Sequence, residues 1–490
     1  MKQEIKIPKE IQEMGGVLQN AGFDAYAVGG CVRDLLMGRA PADWDVTTDA
    51  SPEDIQHLFP NSFYENKFGT VTVVTESKKD SLKHVEVTPY RMDVSYSDKR
   101  HPDEVSFVRT IEEDLKRRDF TINAIAINLG TQNGFHAVDL FGGCKDIEDK
   151  LMRAVGNAEE RFNEDALRLM RAVRLATQLD FDIDSVTASA IKKHAGLLRL
   201  VAVERVRDEF SKLIASDMPD RGLEILRELN LITYVVPELM EGYGVGQNKH
   251  HIYSVWEHNL RALQYAAEKK WSPEVCMAAL LHDVAKPRCK KGDGPDSTFY
   301  GHDVVGAKMV LQILGRLKYS KQFIEKVAKL VRYHLFYYNV DEVTESSVRR
   351  LIAKVGLEDM EDLIQVRICD RIGSGVPKAE PYKLRHFRFL VEKLSRDPVS
   401  VKMLRVKGDD VMKLTGIQPG PKVGFLLNIL LEEAIDDPAL NQKQKLEKRV
   451  KELGQMSDAE LQNLASDAKK KTIALEEQEV GDIKKKHWVK

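Results

Sequence analysis

Asp43 and Asp45 are separated by one residue in the run Asp43-Trp44-Asp45-Val46-Thr47, which reads as a strand. Residues i and i+2 of a strand point to the same face, so this spacing sets two carboxylates side by side. Adjacent carboxylates repel, and a hard divalent cation relieves the repulsion. Upstream, the apolar run Tyr26-Ala27-Val28 meets Gly29-Gly30 ahead of a helical stretch, Cys31–Met37. Paired glycines before a helix let backbone N–H groups point at a phosphate. A phosphate cradle followed by a carboxylate pair describes metal-dependent nucleotidyl transfer. Each half alone is an ordinary turn, and it is their order and spacing that carry the reading. A second set of ligand-type residues lies far downstream: His258, His282-Asp283, His302, His334 and Asp370. Imidazoles and carboxylates suit Mn, Fe, Ni, Zn or Mg, with carboxylates favouring the harder ions.

These residues need elements to hold them. Lys9–Ala21 reads as an amphipathic helix with Ile11, Met14, Val17 and Leu18 at helical spacing. Phe23–Val28 is the first strand. Ser51-Pro52-Glu53-Asp54 is a helix start, with a Ser cap, Pro at the first position and acids in the first turn. Gly69–Thr75 and Leu82–Tyr90 are two further strands. In the second, Val85 and Val87 point one way and Glu86 the other, either towards Asp43 and Asp45 as a third carboxylate or simply to solvent. Asp93–Glu113 is polar and irregular and reads as a mobile loop. Ala158–Thr177 reads as one helix, with Arg161, Glu164, Asp165, Arg168 and Arg171 on neighbouring turns. That pattern is either an ion-paired face or a fixed plane of donors and acceptors for a base edge. Ser185–His194, Glu204–Ala215 and Asp220–Leu231 are further helices, and Val203–Arg207 adds basic surface. His258 sits in a helix start, and His282-Asp283 closes an apolar helical run. Near the end, the turn Ile417–Gly424 is either a phosphate-binding shape or a plain connection between helices. Ala439–Leu453 is a charged helix, and the lysine-rich stretch from Ala465 reads as a solvated terminus.

The chain of 490 residues is long enough for three or four domains. A hydrophobic content of 43% and a charged content of 31% fit a soluble globular protein. A net charge of −2 means that any nucleic-acid surface is local. Five scattered cysteines without metal-type spacing fit reduced thiols in a cytoplasmic protein. The N-terminus is too charged for a signal peptide, and no run of about 18 apolar residues predicts a membrane span.

The stretch Ala27–Thr48 resembles the head signature of the polymerase-beta-like nucleotidyltransferases of class II. That group holds the bacterial CCA-adding tRNA nucleotidyltransferases and the poly(A) polymerases. The resemblance implies Mg2+ on Asp43 and Asp45, with Glu86 as a third catalytic carboxylate, and Gly29, Gly30 and Arg33 at the nucleotide. Arg117-Arg118-Asp119-Phe120-Thr121-x-Asn123-Ala124 is similar to the family motif after the loop, which implies Arg118, Asp119 and Asn123 as nucleotide ligands. Asp93–Glu113 resembles the family's flexible loop, which takes part in the switch from C to A addition. Glu164-Asp165-x-x-Arg168 resembles the class II motif that selects the base without a template. Asp165 and Arg168 would contact C or A, Glu164 would support them, and Arg171 would join the nucleotide set. The downstream His/Asp residues resemble the HD phosphohydrolase superfamily. There His258, His282, Asp283 and Asp370 would bind a divalent transition metal or Mg2+, lined by His302 and His334.

The implied fold is multidomain and mostly α. A polymerase-beta-like α/β head spans 1–155, a helical neck 156–245, an HD domain 246–375 and a helical tRNA-binding tail 376–490. The implied function is template-independent addition of CCA to tRNA from CTP and ATP. The alternatives are an A-adding enzyme or poly(A) polymerase and, in a different class, an HD phosphohydrolase acting on RNA ends or nucleotides. Oligomeric state stays open.

Overall fold

The computed structural model describes residues 6–64, 69–93, 105–130, 137–248, 252–292, 294–340, 343–395, 400–457, 460–461 and 463–464. Most of the loop predicted over Asp93–Glu113 and the lysine-rich end therefore lie outside the described residues. The chain forms two compact units, one of residues 1–331 with 372–375, the other of residues 332–371 with 376–490. Helices dominate both, and the only long sheet among the described residues lies near the start of the chain.

The first unit begins with α1 (Lys9–Asn20), which buries Ile11, Met14 and Leu18. Val17 was expected on that stripe but is 39% exposed. At about 100° per residue it falls well round the helix from Ile11 and Leu18. There follow β1 (Tyr26–Val28), α2 (Gly30–Leu36), β2 (Asp45–Thr48), α3 (Pro52–Leu58), β3 (Ser62–Tyr64), β4 (Val71–Val74), α4 (Asp80–Lys83) and β5 (His84–Pro89). Next come β6 (Arg91–Asp93), β7 (Val105–Phe107), α5 (Ile111–Lys116), β8 (Ile125–Asn128), β9 (Ala137–Asp139) and α6 (Gly143–Glu148). The predicted start of α3 is present in full: Ser51 and Asp54 form a capping box with Pro52 in the first turn.

Seven strands make one sheet in the order β3-β4-β5-β2-β1-β8-β9. Only the β2–β5 pair is parallel. Alternation along the strands separates two faces. Ala27, Val46, Val71, Val73, Val85, Val87, Ile125 and Ile127 pack on one side with Ile11, Met14, Leu18 and Ile55. Val28 and Ala126 face the other way and pack with Tyr90, Ile111 and Leu115. Ile111 and Leu115 of α5 are thus anchored on the second face, the one that carries Asp45.

The neck follows as α7 (Ala158–Glu164), α8 (Arg168–Leu179), α9 (Ser185–His194), α10 (Val203–Ile214), α11 (Pro219–Glu228) and α12 (Ile232–Val235). The single helix expected over Ala158–Thr177 is therefore two. Asp165 takes an extended conformation, φ −129° and ψ 104°, and its Oδ1 accepts from Leu167 N at 2.9 Å. An acid that satisfies a backbone N–H two residues on competes with the helix ladder. The unit ends in α13 (Val255–Glu268), α14 (Pro273–Leu281), α15 (Lys286–Cys289), α16 (His302–Arg316) and most of α17 (Lys321–Tyr333).

In the second unit, α18 (Glu345–Val355), α19 (Met360–Gly373, all but its last two residues) and α20 (Tyr382–Leu394) precede α21 (Gly408–Thr415), α22 (Pro421–Asp436) and α23 (Lys443–Gly454). Val411, Leu426, Ile429, Leu430, Leu446, Val450 and Leu453 form the core of the last three. Of the turn expected over Ile417–Gly424, residues 417–420 join α21 to α22 and 421–424 are already helix, after Gly416 closes α21 in the left-handed region at φ +73°. No described helix is long and apolar enough to cross a membrane.

Candidate active site

Strand β2 begins at Asp45, and Asp43 lies in the bend before it rather than on the strand. The two carboxylates nonetheless act on each other. Burial pushes the Asp45 carboxyl up to about 6; the Arg118 charge opposes this, while Glu86 and Asp43 push the same way as burial. Glu86 sits directly beside Asp45 in the parallel β2–β5 register, and its N–H donates to Trp44 O at 3.2 Å. Three acids therefore crowd one edge of the second face, with Asp43 and Glu86 exposed and Asp45 half-buried. Such crowding fits a hard divalent cation, whose charge would remove the repulsion that raises Asp45.

Gly29 adopts φ +82°, and a Cβ there would stand 3.1 Å from Arg118 Nη1 and 3.5 Å from Asp45 Oδ2. Only glycine lets the turn, a guanidinium and a carboxylate come this close. A Cβ at Gly30 would lie 3.6 Å from Arg33 Nη2, so two arginines flank the glycine turn. Asp114 steers one of them. This fully buried acid accepts from Arg117 Nη2 at 2.7 Å and from Arg118 Nη2 at 3.0 Å. Burial alone would raise its pKa, but Arg118 and Arg117 outweigh burial and hold it below the ordinary value. Asp114 was not singled out from sequence, although its i+3 and i+4 spacing to the two arginines is a readable signal.

A chain of polar contacts runs from the neck into the head. Arg171 Nη2 donates to Asp119 Oδ2 at 2.6 Å, and Asn123 Nδ2 to Asp119 Oδ1 at 3.2 Å. Arg33 Nη1 donates to Asn123 Oδ1 at 2.8 Å and Arg33 Nη2 to Asp34 Oδ1 at 2.7 Å. Burial would raise the Asp119 carboxyl, but Arg171 overcomes it and the carboxyl rests at about 2.

Around the break between α7 and α8, Arg168 Nη1 donates to Glu164 Oε2 at 2.8 Å and Nη2 to Arg117 O at 3.0 Å. Glu164 also pairs with Arg161. Asp165 does not pair with Arg168: it accepts from Arg205 Nη2 at 3.0 Å, forty residues on. The expected Asp165–Arg168 plane on one helix is thus replaced by two pairs, Glu164–Arg168 across the break and Asp165, within it, with Arg205 of α10. Arg205 was read only as basic surface, since nothing local ties it to Asp165.

In the other part of the first unit, a capping box of Ser254 and Glu257 opens α13, which buries His258. His282 and Asp283 follow the end of α14, and His302 opens α16. His282 Nδ1 lies 2.8 Å from Ala279 O and His302 Nδ1 2.6 Å from Phe299 O. A ring nitrogen that donates to a carbonyl leaves Nε2 as the lone-pair nitrogen. The Nε2 atoms of His258 and His282 are 2.9 Å apart, and they lie 3.1 and 3.3 Å from Asp283 Oδ2. His302 Nε2 is 3.2 Å from Asp283 Oδ1. Ring nitrogens converging with a carboxylate form a candidate metal-binding group. Lys286 Nζ stands 2.6 Å from Asp283 Oδ2 and donates to Gln247 Oε1 at 2.6 Å. Burial would raise Asp283, but His282 and Lys286 outweigh it and hold the carboxylate well below its ordinary range. Lys286 was missed in sequence, though it lies one helical turn after Asp283. His334 and Asp370 belong to the second unit, where both are buried and Asp370 Oδ2 accepts from Arg367 Nη1 at 2.6 Å.

Residues 25–153 match the poly A polymerase head domain family, 180–242 the probable RNA and SrmB-binding site of polymerase A, and 255–372 the HD domain. Head and acid row together define a nucleotidyltransferase carrying an HD domain. The chain is 32% identical over 456 residues to the CCA-adding enzyme of Ligilactobacillus salivarius, covering 91% of this chain and 98% of that one. It is 33% identical to the CCA-adding enzyme of Lactiplantibacillus plantarum, covering 90% and 96%. The structure of the Bacillus stearothermophilus CCA-adding enzyme in complex with CTP superposes with a TM-score of 0.67 at 29% identity, covering 91% of this chain and 98% of that one. Likeness over nearly the full length of these relatives places the chain in the CCA-adding enzyme family.

Proposed function

We propose that this chain adds CCA to the 3′ end of tRNA, taking CTP and ATP without a nucleic-acid template. The observation that carries the reading is the acid row, in which Asp43 and Glu86 press on a half-buried Asp45 beside the Gly29 turn. Asp43 and Asp45, with Glu86, would hold two Mg2+. Bound there, Mg2+ would lower the pKa of the RNA 3′-hydroxyl and offset charge on the departing pyrophosphate. Arg33 and Arg118, on either side of Gly29-Gly30, bind triphosphate oxygens, and Asn123 and Asp119 hold Arg33 and Arg171 in place. Asp165 and Arg168 read the base edge, with Glu164 orienting Arg168. The parts correspond to a head at 1–155, a neck at 156–245, an HD domain at 246–375 and a tail at 376–490 that contacts tRNA. Five cysteines, none of them in a disulfide, suit a reducing cytoplasm.

Convergent Nε2 atoms at Asp283 favour a second centre. In this reading His258, His282, Asp283 and Asp370 are the ligands, with His302 and His334 as lining; the HD-domain match over 255–372 supports it. A phosphomonoester or 2′,3′-cyclic phosphate at an RNA end is its substrate class. One assay tests the main reading: tRNA lacking its end, with CTP, ATP, GTP or UTP offered singly and together. Two C additions from CTP alone and one A only when ATP is also present are expected. Addition of A alone, or of long A runs, would replace it with the A-adding or poly(A) alternative.

A further inference from the structure

The acid row continues across one more strand. Asp45 pairs with Glu86 in the β2–β5 register, and Glu86 pairs with Thr72 in the β4–β5 register. Directly paired residues share a face, so Asp45, Glu86 and Thr72 form a line across three strands. The row two residues along confirms the face: Thr88 Oγ1 donates to Thr70 Oγ1 at 3.3 Å, and Thr47 Oγ1 to Thr88 O at 2.9 Å. Val46, Val71, Val73, Val85 and Val87 all lie on the opposite face, in the core.

Thr72 is only 3% exposed, and its Oγ1 has no hydrogen-bond partner among the described residues. Val71, Val73 and Val74 surround it along the strand. Valine has nearly the shape of threonine and carries no hydroxyl to desolvate. A buried, unpaired hydroxyl on an otherwise valine strand therefore points to a partner that arrives with the loaded site.

We propose that Thr72 is a positioning residue of the transfer site, whose Oγ1–H donates to the Glu86 carboxylate when that carboxylate lies over β5, between Thr72 on one side and Asp45 on the other. This rests on the reading of Glu86 as the third carboxylate. One Glu86 oxygen then accepts from Thr72, and the other is left for a hard divalent cation shared with Asp45. The hydroxyl narrows the rotamers of a long, exposed side chain to the one that serves the ion. Groups that orient a metal ligand in this way change metal affinity by about 10–100-fold when removed.

The test uses the full chain as wild type, Thr72→Val, Thr72→Ser and Glu86→Gln. CTP affinity is measured by fluorescence in EDTA and again in Mn2+, and their ratio reports the ion at this site and not at the histidine cluster. In Thr72→Val the gain in CTP affinity from Mn2+ is expected to fall about tenfold. CTP affinity in EDTA stays unchanged, and the Mn2+ needed for half-maximal addition rises by about the same factor. The metal-free melting temperature holds or rises, because an unpaired hydroxyl has gone, and Thr72→Ser behaves as wild type. A wild-type Mn2+ gain in Thr72→Val alongside an impaired Glu86→Gln overturns the role of Thr72 and leaves Glu86 in place. Equal impairment of the Ser and Val variants also overturns it, since shape and not the hydroxyl would then matter. A wild-type Glu86→Gln removes the reading of Glu86, and the inference with it.

Discussion

The acid row of the head and the histidine cluster beyond the neck are two differently built candidate sites for a divalent ion. The row lies on an open sheet face, with two of its three carboxylates in water. Its like charges stay close because neighbouring strands hold them, and Asp45 shows the cost in a carboxyl raised to about 6. The cluster is closed. His258, His282 and Asp283 are essentially unexposed, the Ala279 carbonyl aims the His282 ring, and Lys286 balances the acid. An open, oxygen-only site suits an ion that keeps waters and exchanges with a nucleotide; a closed nitrogen-rich site suits one that stays.

The contrast can be broken by removing one acid from each site. Asp45→Asn should lower nucleotide addition on the order of a thousandfold while tRNA affinity, measured by filter binding, stays near wild type. Asp283→Asn should leave addition intact, remove bound transition metal by elemental analysis, and cost about 3–5 kcal/mol in urea denaturation, because Lys286 is left buried without its counter-charge. Loss of addition in both variants would mean the two sites work as one. Base choice sharpens the head side further. Arg168→Gln should lower the preference for CTP over UTP about tenfold or more, because a buried group left unpaired by the wrong base is what rejects it. An unchanged preference at reduced rate would remove Arg168 from base reading.

Stability gives smaller effects. Asp119 has its carboxyl depressed from 3.8 to about 2. That is about 2 kcal/mol of stability, fully present above pH 4 and lost as pH falls towards 2. Asp119→Asn should therefore cost about this much at pH 7, and the gap in urea denaturation should narrow below pH 4. A gap that widens on acidification would contradict the ion pair. Ser254→Ala, which removes the capping box of α13, should cost about 1 kcal/mol and leave CCA addition unchanged.

Local signals read well from sequence where the physics is local. The Ser51–Asp54 box and the opposite faces of Glu86 and its valine neighbours follow from capping chemistry and strand alternation, whereas the pairing of Glu86 beside Asp45 is a strand order that alternation alone leaves open. The break at Asp165 did not, because Glu164-Asp165-Ala166-Leu167-Arg168 contains good helix formers and no Pro or Gly. What stops the helix is the Asp165 carboxylate, held by Arg205 from another helix, and a partner forty residues away leaves no periodicity to read. Asp43 slipped off the strand for a related reason: alternation predicts a strand's faces far better than its first residue. Lys286 and Asp114 were legible but passed over, each a charged residue within one turn of its partners.

Lys286 also bears on how the protein is made. Small metal-dependent domains stay unfolded until their ion arrives, so their yield follows the cell's supply of that ion. Here the acid at the centre of the cluster is neutralised by an ammonium group 2.6 Å away that is encoded in the same chain. Translation alone delivers the counter-charge. The fold around the cluster is therefore expected to form without an ion, and protein purified in EDTA should still melt in one cooperative step.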